Sequence, residues 1–83
     1  MLALEPHQRV FLLAKSGASV PIRVHIDRRA RRVSVRIDPL AREAVATAPA
    51  NRFALEAISF ASERVEWIAD RLGALPPPVV FRP

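Results

Sequence analysis

Four of the five residues from 28 to 32 are arginine: Arg28, Arg29, Arg31 and Arg32 run directly into Val33-Ser-Val-Arg-Ile-Asp38. A guanidinium is a planar fork of donors. It meets a phosphate or carboxylate through two parallel hydrogen bonds and stays charged at every working pH. Together with Arg36, these arginines mark a candidate polyanion-binding surface. The plainer reading of the same run is a solvated basic face. Charge alone positions a nucleic acid without reading it, and binding single strands also calls for stacking aromatics. The strand-like segments supply only Phe11, inside an apolar run that reads as core. Phe53, Phe60 and Trp67 fall at helical spacing and read as core too.

Other chemistries find less material. A catalytic zinc takes about three protein ligands and an open position. The sequence has two histidines, His7 and His25, no cysteine and no H-E-x-x-H. His25 falls among outward residues of an alternating segment, so it reads as a surface histidine. Ser16, Ser19, Ser34, Ser59, Ser62 and Thr47 lie in no G-x-S-x-G elbow and beside no histidine. Glu63, Glu66 and Asp70 share one helical face, flanked by Arg64 and Arg71, which is the pattern of a solvated face. Two glycines in all leave no glycine-rich phosphate loop. No catalytic, metal-ligating or cofactor-binding residue is assigned, and the chain by itself is not expected to be an enzyme.

The elements that must position the arginines follow from periodicity. Residues 9–14 form an apolar run closed by Lys15-Ser-Gly-Ala18, a turn signal because Gly17 accepts positive φ. Residues 20–27 alternate strictly, with Val20, Ile22, Val24 and Ile26 on one face and Pro21, Arg23, His25 and Asp27 on the other. Pro21 belongs at the start or edge of that strand. Residues 32–38 alternate again and read as the second arm of a hairpin with 20–27. Residues 43–48 form a weaker fourth strand, with Val45 and Thr47 on one face. From 52 to 72 the period becomes helical: Ala54, Ile58, Ala61, Val65, Ile68 and Leu72 make one stripe. Asn51 reads as its N-cap and Gly73 as its C′ residue. Pro76-Pro-Pro78 cannot continue the helix.

Size and charge set the frame. Eighty-three residues make one small domain. The half from 1 to 42 carries nine Lys/Arg against three Asp/Glu, so +6; the half from 43 to 83 carries four against five, so −1. The basic character therefore lies in the first half, where it would attract polyanions to one side. The absence of cysteine fits a reducing compartment. No apolar run approaches the roughly 20 residues of a membrane span, and the N-terminus lacks the form of a signal peptide. The expected setting is cytoplasmic, with no membrane partner.

The ordered set Arg29-Ala-Arg-Arg-Val-Ser-Val-Arg-Ile-Asp38, Trp67-Ile-Ala-Asp-Arg-Leu72 and the following Pro-Pro-Pro-Val-Val-Phe resembles the N-terminal part of the YgjP-like zinc metallopeptidases, over about residues 20–83. In that family, related to SprT-like proteases, the H-E-x-x-H zinc helix lies well downstream, so no catalytic or zinc-ligand role transfers to this chain. Two positions depart from the family pattern. A small polar helix cap is usual near Phe53, and the turn between the third and fourth strands commonly contains glycine, whereas here it reads Pro39-Leu-Ala-Arg42.

The expectation is therefore an α+β domain: a small antiparallel sheet of about four strands (9–14, 20–27, 32–38, 43–48) with one long C-terminal helix, 52–72, packed on one face. A proline-rich tail, 73–83, would lead into a downstream region. Val24, Ile26, Val33, Val35, Ile37, Ile58, Val65, Ile68 and Leu72 would form the core. The resemblance implies a non-catalytic accessory domain that braces a downstream catalytic part or presents its substrate, with zinc confined to that part. The alternative is a small polyanion- or nucleic-acid-binding module using Arg28, Arg29, Arg31, Arg32 and Arg36. A third option is a protein-interaction surface at Val79, Val80 and Phe81, including dimerisation.

Overall fold

The first tight turn is set by Gly17, whose φ of +90° an L side chain rarely adopts. It returns β1 (Arg9–Leu13) onto β2 (Ser19–Ile26), with the Ala14 N–H donating to the Ala18 carbonyl at 2.9 Å. A second antiparallel pair joins β3 (Ser34–Asp38) to β4 (Glu43–Ala48). A computed structural model of the chain describes residues 9–76. Among them no helix is long and apolar enough to cross a membrane.

The two hairpins meet through β2 and β4, which run parallel from Ile22↔Ala44 to Ile26↔Ala48, giving the order β1-β2-β4-β3. The expected all-antiparallel sheet is therefore corrected to a mixed one, and the expected pairing of β2 with β3 does not occur. The chain leaves β2 at Asp27, whose N–H donates to the Ala48 carbonyl at 2.9 Å, and passes the end of β4 before starting β3. Pro21 sits where β2 has β1 on one side and no β4 partner yet, so its missing N–H is tolerated.

The single long helix is also corrected. A 3₁₀ turn (Asn51–Phe53) leads into α1 (Ala54–Ser62), and a separate helix α2 spans Val65–Gly73. At the break the Arg64 N–H turns to the Ala61 carbonyl, three residues back, at 3.0 Å. That frees the Phe60 carbonyl, which accepts from Arg64 Nη1 at 3.1 Å instead. Arg64 thus replaces its own backbone hydrogen bond with a side-chain one, which interrupts the regular ladder. Asn51 lies inside the 3₁₀ turn and makes no side-chain cap, and Gly73 is the last residue of α2 without positive φ.

The core lies between the helices and one sheet face. Val20, Ile22 and Val24 from β2 and Ala44, Ala46 and Ala48 from β4 face Ala54, Ala57, Ala61 and Ile68. Small residues on both sides of the α1–β4 contact bring helix and sheet close together. The expected core is redistributed accordingly. Val24 and Ile68 are fully buried, whereas Ile26, Val33, Val35, Ile37, Ile58, Val65 and Leu72 are half-buried around a centre of alanines.

The other sheet face carries no helix. Phe11, expected in the core, is exposed there, as is Leu13. Val45 is fully buried on that face, flanked in register by Arg23 and Arg36, whose aliphatic stems can cover it.

Candidate polyanion-binding groove

The five sequence-predicted arginines do not form one cluster. Arg28, Arg29, Arg31 and Arg32 all lie exposed on the connection between β2 and β3. This connection is shaped by Asp27, whose Oδ1 accepts from the Arg29 N–H at 3.0 Å while its carbonyl accepts from the Ala30 N–H at 2.9 Å. Arg29 Nε stands 3.5 Å from the same carboxylate. The Arg29 backbone N–H is the main cause that holds the Asp27 carboxyl below its ordinary range, with the Arg29 guanidinium adding to it. Arg29 is thus engaged with its own loop, while Arg32 lines a groove shared with the helices.

Arg32 lines one end of a groove of about 660 Å³ between the edge strand β3 and the two helices. Ser34 and Val35 of β3, with Val33 just before it, form one wall; Phe60, Arg64 and Trp67 form its helix wall. A second groove of about 590 Å³ continues along β3, lined by Val35, Arg36, Ile37, Pro39, Trp67, Arg71, Ala74 and Leu75. Val35 and Trp67 border both, so the two make one channel along the sheet edge with Trp67 at its middle. Arg36, one residue out of phase with Val35, reaches the rim around the edge.

The electrostatics of the channel are one-sided. Among the described residues lining it, every charged one is an arginine: Arg32 and Arg64 at one end, Arg36 and Arg71 at the other. Two of these lie over rings, Arg64 at 3.6 Å from the Phe60 centroid and Arg71 at 5.3 Å from that of Trp67. Such stacking holds a guanidinium in place; Arg64 Nη1 already donates to the Phe60 carbonyl, which leaves its other N–H groups for a ligand. Glu63 Oε2 stands 3.7 Å from Arg64 Nη1, an exposed contact of small worth. Trp67 itself is 45% exposed, so its reading as core is corrected.

Phe60, Arg64, Trp67 and Arg71 are the residues that sequence reasoning passed over as a site. Their spacing of 4, 3 and 4 is the signal that would have found them: a second stripe, one residue behind the apolar one, alternating aromatic and arginine.

The helix-free sheet face carries its own ionic network. Glu43 Oε2 accepts from Arg9 Nε at 2.7 Å, and Arg23 Nη2 donates to Asp38 Oδ2 at 3.3 Å. Arg23 Nε and Glu43 Oε1 lie 3.3 Å apart, at charge-pairing distance without the alignment of a hydrogen bond. Asp38 also accepts from the N–H groups of Ala41 and Leu40, both at 3.1 Å. The Ala41 N–H is the main cause that keeps its carboxyl below the ordinary range, with Leu40, Arg23 and Arg36 adding to it.

Among the described residues no group of three or more His, Asp or Glu is placed to hold a metal ion. His25 lies on the helix-free face in register with Thr47. Glu66, one of the three helical carboxylates, accepts from the Lys15 N–H at 2.6 Å and so ties α2 to the β1–β2 turn. His7 and the apolar Val79, Val80 and Phe81 lie outside the described residues. No family model, no curated protein and no solved structure matches this chain.

Proposed function

We propose that this chain is a non-catalytic module that grips a polyanion in the channel along β3. The observation that carries the reading is the channel's lining: Arg32, Arg36, Arg64 and Arg71 with no carboxylate among the described lining residues. Arg32 and Arg36 come from the segment first singled out in the sequence. Arg28, Arg29 and Arg31 stand farther along the loop and contribute to the approaching field more than to contact. The test is a salt titration with a fluorescent heparin fragment. Affinity should fall on the order of 50- to 150-fold between 50 and 200 mM salt, as four released counterions require. Arg32→Ala, Arg36→Ala, Arg64→Ala and Arg71→Ala together should remove most of that slope. Arg28→Ala with Arg31→Ala should change it less. Equal losses from the two sets would move the site to the loop.

A second reading is favoured by the order of segments that resembles YgjP-like metallopeptidases. In this reading the module is an accessory domain joined to a downstream catalytic part, which it braces or supplies with substrate; any zinc belongs to that part. Trp67-Ile-Ala-Asp-Arg-Leu72 falls on α2, where Ile68 enters the core and Trp67 and Arg71 face the channel. The two readings are compatible. A native reading frame that continues past the codon for Pro83 into an H-E-x-x-H helix supports the accessory reading, and a stop codon there sinks it.

A further inference from the structure

We infer that the polyanion taken by the channel is a single-stranded nucleic acid, with an unpaired base stacked on Trp67. The inference rests on the polyanion reading above and adds to it the ligand's chemical class. Charge alone would suit duplex, heparin or polyphosphate equally well. What separates them is the indole at the centre of the channel, 45% exposed and bordering both of its halves. A half-exposed tryptophan between pairs of arginines gives a base a flat apolar partner and gives the flanking phosphates a donor on either side. Arg71 sits 5.3 Å from the indole centroid, which adds a cationic neighbour to whatever stacks there. In a duplex the bases are stacked on one another, so a single side-on ring has no face to meet. The strand wall is five residues long, roughly 16 Å, which suits a short extended stretch of backbone.

Trp67 is the sole tryptophan of the sequence, so its fluorescence reports from the proposed contact itself. The experiment compares a 12-nucleotide oligothymidine, the same length of duplex DNA, polyphosphate and poly-glutamate at 50 mM salt. Labelled ligands give affinity, and intrinsic fluorescence gives stacking. The expected result is that oligothymidine binds most tightly and quenches Trp67, whereas polyphosphate binds without quenching. Trp67→Leu should weaken oligothymidine about 10-fold and polyphosphate far less, through the loosened Arg71 alone, whereas Trp67→Phe should retain most of the affinity for both. Urea unfolding of both variants checks that they fold.

Binding of all nucleic acids and polyphosphate alike, with no quenching and no effect of Trp67→Leu, overturns the inference and leaves the polyanion reading in place. Failure of oligothymidine, duplex and polyphosphate alike overturns both. Poly-glutamate binding as tightly as oligothymidine also overturns the inference, and assigns the channel to an acidic peptide.

Discussion

Glu43 is the charged side chain that this fold buries among its described residues, and its dependence on two arginines can be weighed. Its side chain is 3% exposed, while those of Arg9 and Arg23 are 54% and 30% exposed. The arginines can therefore hydrate without Glu43, but Glu43 cannot hydrate without moving. The perturbation is Arg9→Met together with Arg23→Met, which keeps the stems and removes both charges. Losing the aligned bond from Arg9 costs about 1.5–3 kcal/mol; the unaligned Arg23 contact is worth less. Together they leave an unpaired buried carboxylate, a loss of about 3–5 kcal/mol. A chain of this size has about 4–12 kcal/mol in total, so the double variant should sit near the edge of folding. Adding Glu43→Leu should restore most of the loss, because no charge is then stranded. The assay is urea unfolding followed by far-ultraviolet circular dichroism, since guanidinium would screen the pairs as a salt. The midpoint should fall in the double variant and recover in the triple with an unchanged slope. A double variant that loses less than about 1 kcal/mol, or a triple that recovers nothing, refutes the account of Glu43.

Arg42 has a φ of +56° at the end of the β3–β4 turn, a left-handed conformation that costs a non-glycine residue about 1 kcal/mol. Arg42→Gly should therefore shift thermal or urea stability by less than about 0.5 kcal/mol, because relief of that strain is offset by the lost hydrogen bond to the Pro76 carbonyl and by glycine's unfolded-state entropy; a loss of more than about 1 kcal/mol would show that the bond outweighs the strain. Ile68→Asp should abolish the cooperative melt, because burying an unpaired charge costs several kcal/mol, whereas half-buried Ile58→Asp should still unfold cooperatively at a lower midpoint. Equal effects at the two positions would contradict the placement of the core. Asp38→Asn should destabilise at neutral pH, since the native carboxylate is favoured by its turn N–H donors. A carboxyl lowered on folding contributes fully above its unfolded pKa of about 3.9. That contribution fades as pH falls from about 3.9 through the lower folded value, so the gap between wild type and variant should close there. A gap that persists unchanged at about pH 2 would assign the effect to shape and not to charge.

The strands and the apolar stripe were legible because burial of one face imprints a period directly: two along residues 20–26, and three to four along 54–72. Partner choice leaves no such imprint. The connection from Asp27 to Val33 is short enough for a hairpin, and nothing in its residues announces that β4 will come between β2 and β3. The best hint lay in Glu43-Ala-Val-Ala-Thr-Ala48, which looks weak by β-propensity. A strand buried on both faces shows a continuous run of small or apolar residues instead of alternation, and β4 is that strand. The helix break was hidden because the stripe stays in phase through Ala61 and Val65, while its cause is a local exchange of hydrogen bonds at Arg64. Of the arginines that line the candidate channel, charge density in the sequence points to Arg32 and Arg36. Trp67 and Arg71 were missed because an aromatic at helical spacing was assigned to the core, and one residue of helical rotation decides between core and rim.

The junction of β2 with β4 has a kinetic consequence. Each hairpin closes over a short stretch of chain and can form locally in microseconds. The parallel pair brings together Ile22 and Ala44, which lie 22 positions apart, and its loop-closure entropy must be met before any of its contacts form. Folding should therefore be limited by the docking of two preformed hairpins, with α1 sealing the alanine seam afterwards. On that order of events, enlarging Ala57 or Ala61 would chiefly hasten unfolding, whereas weakening the β2–β4 junction would slow folding itself.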